Sequence, residues 1–309
     1  MRVESVTSAQ NRKVKTLLAL QEKARLRKET GLFVVEGRRE LEHCVRAGFE
    51  IDTLFFCPDI VGSTNTVILS EAKDLRSGSG SSAAIRIRSL ARQADPFRAN
   101  AAEDPLQDRR IEMILESARQ IVEVPRELYE KIAYRGGTEG MIAEVKARET
   151  GLEDLRPGER PLVVVLEGVE KPGNLGAVLR SADAAGADAV LVCDPLTDLY
   201  NPNLIRASIG AVFTVPVVCC SSEEAIKWLK NNNINIYTAQ LQDSSWYYDT
   251  DMTGGTAIVI GTEATGLTTV WREAADAHIR IPMLGELDSL NASVSAAILL
   301  YEAVRQRNV

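Results

Sequence analysis

Three loops in the second half of this 309-residue chain carry residue types that do chemistry when placed at strand ends. The first follows the apolar run Leu162-Val163-Val164-Val165-Leu166 and reads Glu167-Gly168-Val169-Glu170-Lys171-Pro172-Gly173-Asn174, with Arg180 about two helical turns further on. The second follows Ala257-Ile258-Val259-Ile260 and reads Gly261-Thr262-Glu263-Ala264-Thr265-Gly266-Leu267. The third is Ile279-Arg280-Ile281-Pro282-Met283-Leu284-Gly285, then Ser289-Leu290-Asn291-Ala292-Ser293 opening an apolar helical pattern. Short β-branched runs read as buried strands. Glycines after them permit tight turns and close backbone approach to a ligand, and ligands of α/β folds sit where strand ends meet such loops. The C-terminal region therefore reads as a small-molecule site built largely from backbone.

Two nucleotide sites are excluded by spacing. Gly168 and Gly173 match the glycines of a phosphate loop, but Asn174 and Leu175 stand where Lys and Ser/Thr are required. Nothing there would neutralise phosphates or hold magnesium. A Gly-x-Gly-x-x-Gly dinucleotide fingerprint is also missing at this strand. Asn174 suits an N-cap, with Leu175, Val178, Leu179 and Ala182 repeating at helical spacing behind it. His43 and His278 lack nucleophile or ligand spacing, and Asp183, Asp194 and Asp198 form no recognisable metal cluster, so no metal is expected.

The three motifs together resemble the SpoU (TrmH-like) family of RNA ribose 2′-O-methyltransferases, within the SPOUT class. The carriers are Asn174 through Arg180, then Gly261-x-Glu263-x-x-Gly266-Leu267, then Ile281-Pro282-Met283 with Ser289-Leu290-Asn291-x-Ser293. The resemblance covers residues 160–309 well and residues 1–61 and 110–150 more weakly. It implies S-adenosylmethionine as methyl donor, with backbone groups of Gly261, Ile281 and Leu290 holding adenine and ribose and with Met283 and Asn291 nearby. It implies Arg180 as the catalytic arginine that engages the target phosphate and 2′-hydroxyl. Free guanidinium stays protonated, so an orienting and charge-stabilising role is favoured over that of a base. Asn174 matches a position that contacts RNA or shapes the first loop. Glu263 matches a glutamate that can hold Arg180 or the loop, and Ser289 and Asn291 cap the last helix or shape the donor and target site. The resemblance further implies ribosomal RNA as substrate, transfer RNA being the alternative, and a homodimer paired through a trefoil-knotted domain. Its rivals are a non-catalytic RNA-binding protein of the same fold and a base-methylating SPOUT enzyme.

The elements that would position these loops alternate from residue 160 onward. Strands are expected near 162–166, 189–193, 213–218, 234–239, 256–260 and 279–283. Helices are expected near 174–186, 202–210, 222–232, 268–275 and 289–306, which together imply a parallel α/β sheet. Ahead of them, residues 1–150 are expected to form a smaller α/β substrate-binding domain similar to ribosomal protein L30e, joined by a hinge at 151–159. Residues 8–29 read as one basic helix ended by Gly31, with Val14, Leu17, Leu18 and Leu20 buried. Residues 62–109, with Ser77-Gly78-Ser79-Gly80-Ser81-Ser82 at their centre, read as a disordered insertion. Thr138-Glu139-Gly140-Met141-Ile142-Ala143 resembles a closing strand of this domain, with Glu139 where many relatives carry Gln.

Net charge is −7, yet residues 1–48 hold eleven Lys/Arg against six Asp/Glu. Lys13, Lys15 and Arg38, with Lys23, Arg25, Arg27, Lys28 and Arg39, are the candidate phosphate contacts; the plainer reading is a solvated helix face. Five cysteines without a Cys-x-x-Cys pattern fit a reduced, cytoplasmic setting. No run approaches a membrane span, and the first residues do not read as a signal peptide.

Overall fold

The computed structural model describes residues 2–61, 105–134, 139–262, 265–287 and 289–308. The chain divides into two units, residues 1–146 and 147–309.

Among the described residues of the first unit, five strands form one mixed sheet: β1 (Arg2–Ser5), β2 (Leu32–Glu36), β3 (Ile51–Phe56), β4 (Ala118–Glu123) and β5 (Met141–Lys146), in the order β1-β4-β3-β5-β2. β1, β4 and β3 are parallel, while β5 runs antiparallel to both β3 and β2. Val34, Phe55, Val122 and Ile142 from the sheet pack with Val14, Leu17 and Leu20 in one buried cluster, and Leu18 lies at its margin. The expected single helix over 8–29 is two helices, Arg12–Glu22 and Ala24–Thr30, because Lys23 takes an extended conformation between them. Asn11 caps the first, its side chain accepting from the Lys13 amide, and Gly31 closes the second with φ at 63°. The helix Pro105–Ser117 begins inside the stretch expected to be an insertion, and residues 62–104 lie outside the described residues.

In the second unit the strands are β6 (Leu162–Glu167), β7 (Ala189–Cys193), β8 (Val217–Cys220), β9 (Asn235–Ala239), β10 (Ser245–Trp246), β11 (Thr256–Ile260) and β12 (Ala277–Arg280). They form a sheet in the order β10-β12-β9-β11-β6-β7-β8, with every pairing parallel. β6, β7 and β11 are buried along their whole length, which explains why they read as continuous apolar runs rather than alternating ones. Leu155 is buried with Val163, Val165 and Leu191 in the core of this unit, and Leu152 packs against it, so the expected hinge at 151–159 is part of the unit's packing.

Several elements differ from the sequence reading, each for a local reason. The helix after β6 runs Pro172–Ala184, with Lys171 rather than Asn174 at its N-cap position, since Pro172 has the fixed φ that suits a first helical position. Leu175, Val178, Leu179 and Ala182 are its buried face, as the spacing requires. The expected strand 213–218 is split: Ala211–Thr214 is a short helix and β8 begins only at Val217, after Pro216. The last helix spans Ala292–Arg307 and is capped by Asn291, not Ser289. β1 and β10 were not expected, being four and two residues long.

Candidate active site

β9, β11 and β12 are neighbours in the sheet, so their C-terminal ends deliver three loops to one place. Between these loops and the start of the last helix lies a cavity of about 630 Å³, within the range of small-molecule sites. Gly261, Ile281, Met283, Ser289, Leu290 and Asn291 all line it. Residues expected from the second and third motifs are thus brought together around a common space.

The 261–268 loop is closed on itself. The Thr262 amide donates to the Gly266 carbonyl at 3.2 Å and the Gly266 amide donates back to Thr262 at 3.0 Å. Gly266 takes φ of 68°, which glycine adopts without strain. Gly261 is required for a different reason. A Cβ built there would collide with the Gly266 carbonyl group and lie 2.6 Å from the Leu267 nitrogen. The glycine allows the two limbs of the loop to touch, and its backbone is left to face the cavity.

Two buried anchors fix the return limb. Leu267 and Trp271 belong to the core, and the Trp271 indole N–H donates to Ser222 Oγ at 2.9 Å. Ser222 Oγ in turn donates to Asp194 at 2.7 Å, so Asp194 serves this packing. Glu167, at the end of β6, is buried, and its carboxylate accepts from the Thr268 amide at 2.9 Å and from the Thr268 hydroxyl at 2.6 Å. This residue ties the first loop's strand to the second loop. Sequence reasoning passed over it, although a carboxylate ending a wholly apolar strand was a visible signal.

The first motif reaches the cavity through one side chain. Asn291 Nδ2 donates to Asn174 Oδ1 at 3.2 Å, while Asn291 Oδ1 accepts from the Ser293 amide at 3.0 Å and from the Ser293 hydroxyl at 2.6 Å. Asn174 itself sits in the first turn of its helix rather than capping it. Arg180 is not brought to the cavity wall. It lies six positions beyond Asn174, roughly 9 Å along the axis, is exposed, and makes no hydrogen bond or ion pair among the described residues. Glu263 lies outside the described residues. His278 Nδ1 and Thr238 Oγ1 lie 2.6 Å apart on neighbouring strands, a structural contact.

In the first unit, the basic residues are less free than their count implies. The Lys13 ammonium is 2.6 Å from Glu4. Arg27 is buried and donates to the Leu20 carbonyl at 2.6 Å, closing the break between the two helices, so it does not meet phosphate. Arg25 pairs with Glu29. Glu139 accepts from the Arg38 amide at 2.6 Å and its carbonyl accepts from Arg38 Nε at 2.9 Å. The carboxylate at that position thus caps the helix Arg38–Arg46 from a distant part of the chain and holds the arginine. Lys15 and Arg39 are exposed.

Residues 161–301 match the model of the SpoU rRNA methylase family, and residues 11–85 match that of the MRM3-like substrate binding domain. A 23S rRNA (guanosine-2′-O-)-methyltransferase of Vibrio cholerae is 37% identical over 193 residues, which is 60% of this chain and 78% of that protein. A crystal structure of an RNA 2′-O ribose methyltransferase superposes with a TM-score of 0.73 at 34% identity, covering 99% of this chain and all of the other. An S-adenosylmethionine-bound rRNA methyltransferase from Sinorhizobium meliloti gives a TM-score of 0.77 at 26% identity, with 98% of each chain covered.

Proposed function

Since the chain belongs to the SpoU rRNA methylase family, we propose that it transfers the methyl group of S-adenosylmethionine to a ribose 2′-hydroxyl of ribosomal RNA. The observation that carries this reading is the joining of three sequence motifs around one cavity, the second and third lining it and the first tied in through Asn174 and Asn291. The cavity fits the donor. It has room for a nucleoside with an amino-acid arm, its walls mix backbone groups with apolar side chains, and the packing at Gly261 leaves peptide groups rather than a side chain at its edge. When bound, S-adenosylmethionine supplies the electrophilic methyl group. Backbone groups of Gly261, Ile281 and Leu290 hold its nucleoside, and Met283 lies beside them. No membrane-spanning helix occurs among the described residues.

The reaction needs the 2′-oxygen aligned with the methyl carbon and relieved of its proton as the new C–O bond forms. Positioning supplies much of such a rate. Asn174 and Asn291 hold the first and third motifs in register at the mouth of the site. Arg180 presents only donors, so it engages an RNA phosphate and steadies the charge that develops on the oxygen. Its place on an exposed helix face, away from the cavity wall, favours action near a second copy of the chain. The last helix offers a surface for that copy: Val294 and Tyr301, two turns apart, are 46% and 50% exposed. A homodimer paired on this helix is part of the proposal, as is RNA binding by the first unit through Lys15, Lys13 and Arg38, and the threading of the C-terminal segment into a knot.

The test is methylation of protein-free ribosomal RNA with labelled donor, followed by mapping of ribose methylation. Arg180→Ala abolishes transfer while binding of S-adenosylhomocysteine stays within about twofold, because a group acting on the transition state affects turnover more than ground-state binding. Arg180→Lys restores little, one ammonium being unable to replace a planar fork. Full activity in Arg180→Ala removes the catalytic assignment, and a monomer by light scattering at micromolar concentration removes the dimer.

A further inference from the structure

Two side chains of the cavity have buried polar atoms without a partner among the described residues. Gln240, the first residue beyond β9, donates from Nε2 to the Gln242 carbonyl at 2.9 Å. That bond fixes the amide plane and leaves Oε1 buried and unsatisfied. Arg280 ends β12, with its guanidinium carbon 4.2 Å from the centroid of the Trp246 ring. Its Nε is likewise buried and unsatisfied. The Gln240 amide donates to the Ile279 carbonyl at 3.0 Å, so the two residues end adjacent strands in register. Both line the cavity.

Buried polar groups are nearly always paired, and an unpaired one is costly. Here an acceptor, Gln240 Oε1, and a donor, Arg280 Nε–H, are carried by adjacent strand ends at the wall of one space. The group that satisfies both at once carries a donor and an acceptor of its own. A vicinal diol does so, one hydroxyl giving its proton and the next receiving one. Position narrows the choice further. Gln240 extends β9, the middle of three adjacent strands, between β11 with the Gly261 loop and β12 with the Ile281 loop. The ribose is likewise the middle of the three parts of S-adenosylmethionine.

We propose that Gln240 and Arg280 read the ribose diol of the methyl donor, Gln240 Oε1 accepting from one hydroxyl and the Arg280 guanidinium donating to the other. Trp246 serves by holding the guanidinium in place, a contact between a cation and a ring face. This assignment rests on the reading of the cavity as the donor site.

The experiment is calorimetric titration of the full-length protein with S-adenosylhomocysteine and with its 2′,3′-dideoxy analogue. The wild type prefers the diol by about tenfold or more, and Gln240→Leu, which keeps only the Arg280 contact, shows a smaller preference, because it binds the diol ligand more weakly and the dideoxy compound as the wild type does. Gln240→Glu, which keeps an acceptor, retains the preference, Arg280→Met reduces it, and the double variant of Gln240→Leu with Arg280→Met binds both ligands alike. If Gln240→Leu fails to fold by circular dichroism, Gln240→Met removes the same oxygen at similar volume and is read in the same way. Unchanged affinity in the folded variant overturns the proposal. So does a uniform weakening that leaves the preference intact, because it moves the side chain to another part of the donor. A wild type that binds no S-adenosylhomocysteine strikes the donor site itself, which separates that failure from the failure of the diol assignment.

Discussion

Asn291 uses the two ends of one amide for two tasks: Oδ1 caps the last helix at Ser293, and Nδ2 reaches Asn174, 117 positions earlier in the chain, at 3.2 Å. The cap and the cross-link are separable by substitution. Asn291→Asp keeps an oxygen for the Ser293 amide and places a carboxylate where a donor stood. It is expected to melt close to wild type while losing about tenfold in turnover. Asn291→Ala loses both functions and about 1 kcal/mol of stability as well, the usual value of a side-chain N-cap. Equal activity of Asn291→Asp and wild type in single-turnover assays would show that the link to Asn174 has no catalytic consequence.

Gly261 tests the loop. Even Gly261→Ala places a Cβ against the Gly266–Leu267 limb. The variant is expected to bind S-adenosylhomocysteine at least tenfold more weakly, because opening the loop displaces the backbone groups at the cavity edge. The cause is steric pressure between the loop's own limbs, and larger side chains add little beyond what alanine does. A folded Gly261→Ala protein with the wild-type dissociation constant would place the donor elsewhere.

Glu167 links the first and second motifs through Thr268. Glu167→Ala leaves the Thr268 amide without its carboxylate and removes two charge-assisted hydrogen bonds. A loss of about 2–3 kcal/mol is expected in the unfolding of the second unit, together with weaker donor binding. Thr268→Val, which deletes only the hydroxyl bond, costs about 1 kcal/mol. Thermal melts of both variants decide the matter, and a Glu167→Ala melt matching wild type rules the link out as a support.

The first unit carries a pH dependence of its own. Glu144 on β5 is buried; desolvation, aided by Asp52, pushes its carboxyl up to about 7, against smaller opposing effects from Lys13 and Thr53. A raised acid pKa means that the folded state holds its proton after the unfolded chain has lost it. The contribution to stability is therefore full below about pH 4.5, declines as pH rises towards 7, and is level above that. Linkage sets the decline at about 3 kcal/mol across the window. Calorimetry at pH 5 and pH 8 is expected to show Glu144→Gln flattening the slope and exceeding wild type at pH 8. An unchanged slope would mean that Glu144 ionises normally.

The second unit was the more legible half of the sequence. Its central strands β6, β7 and β11 are buried on both faces, so continuous apolar runs stood out, and the glycines after β11 marked where a cavity-lining loop begins. The cavity residues were found because their spacing is set by those turns. What the spacing could not convey was partnership across the fold. Glu167 and Thr268 are 101 positions apart, and only the sheet order brings them together. The same holds for Glu139, whose carboxylate meets the Arg38 amide. Charge counting also misled at Arg27, since a basic residue that satisfies the carbonyls of a broken helix looks the same in sequence as one facing solvent. Short edge strands such as β10 carry too few residues to leave a pattern.

The sheet order also dictates a schedule. β6, β7 and β8 can pair as soon as the first 220 residues exist, yet β11 must enter between β6 and β9, joining Thr256 to Leu162 and to Asn235. Until it does, the second unit consists of separate strand groups with unpaired edges, and closing them requires contacts distant in sequence, the slow class of folding event. During synthesis the cavity is therefore assembled last, when the Gly261 and Ile281 loops and the start of the final helix have emerged. A nascent chain can complete its first unit well before it can enclose that cavity.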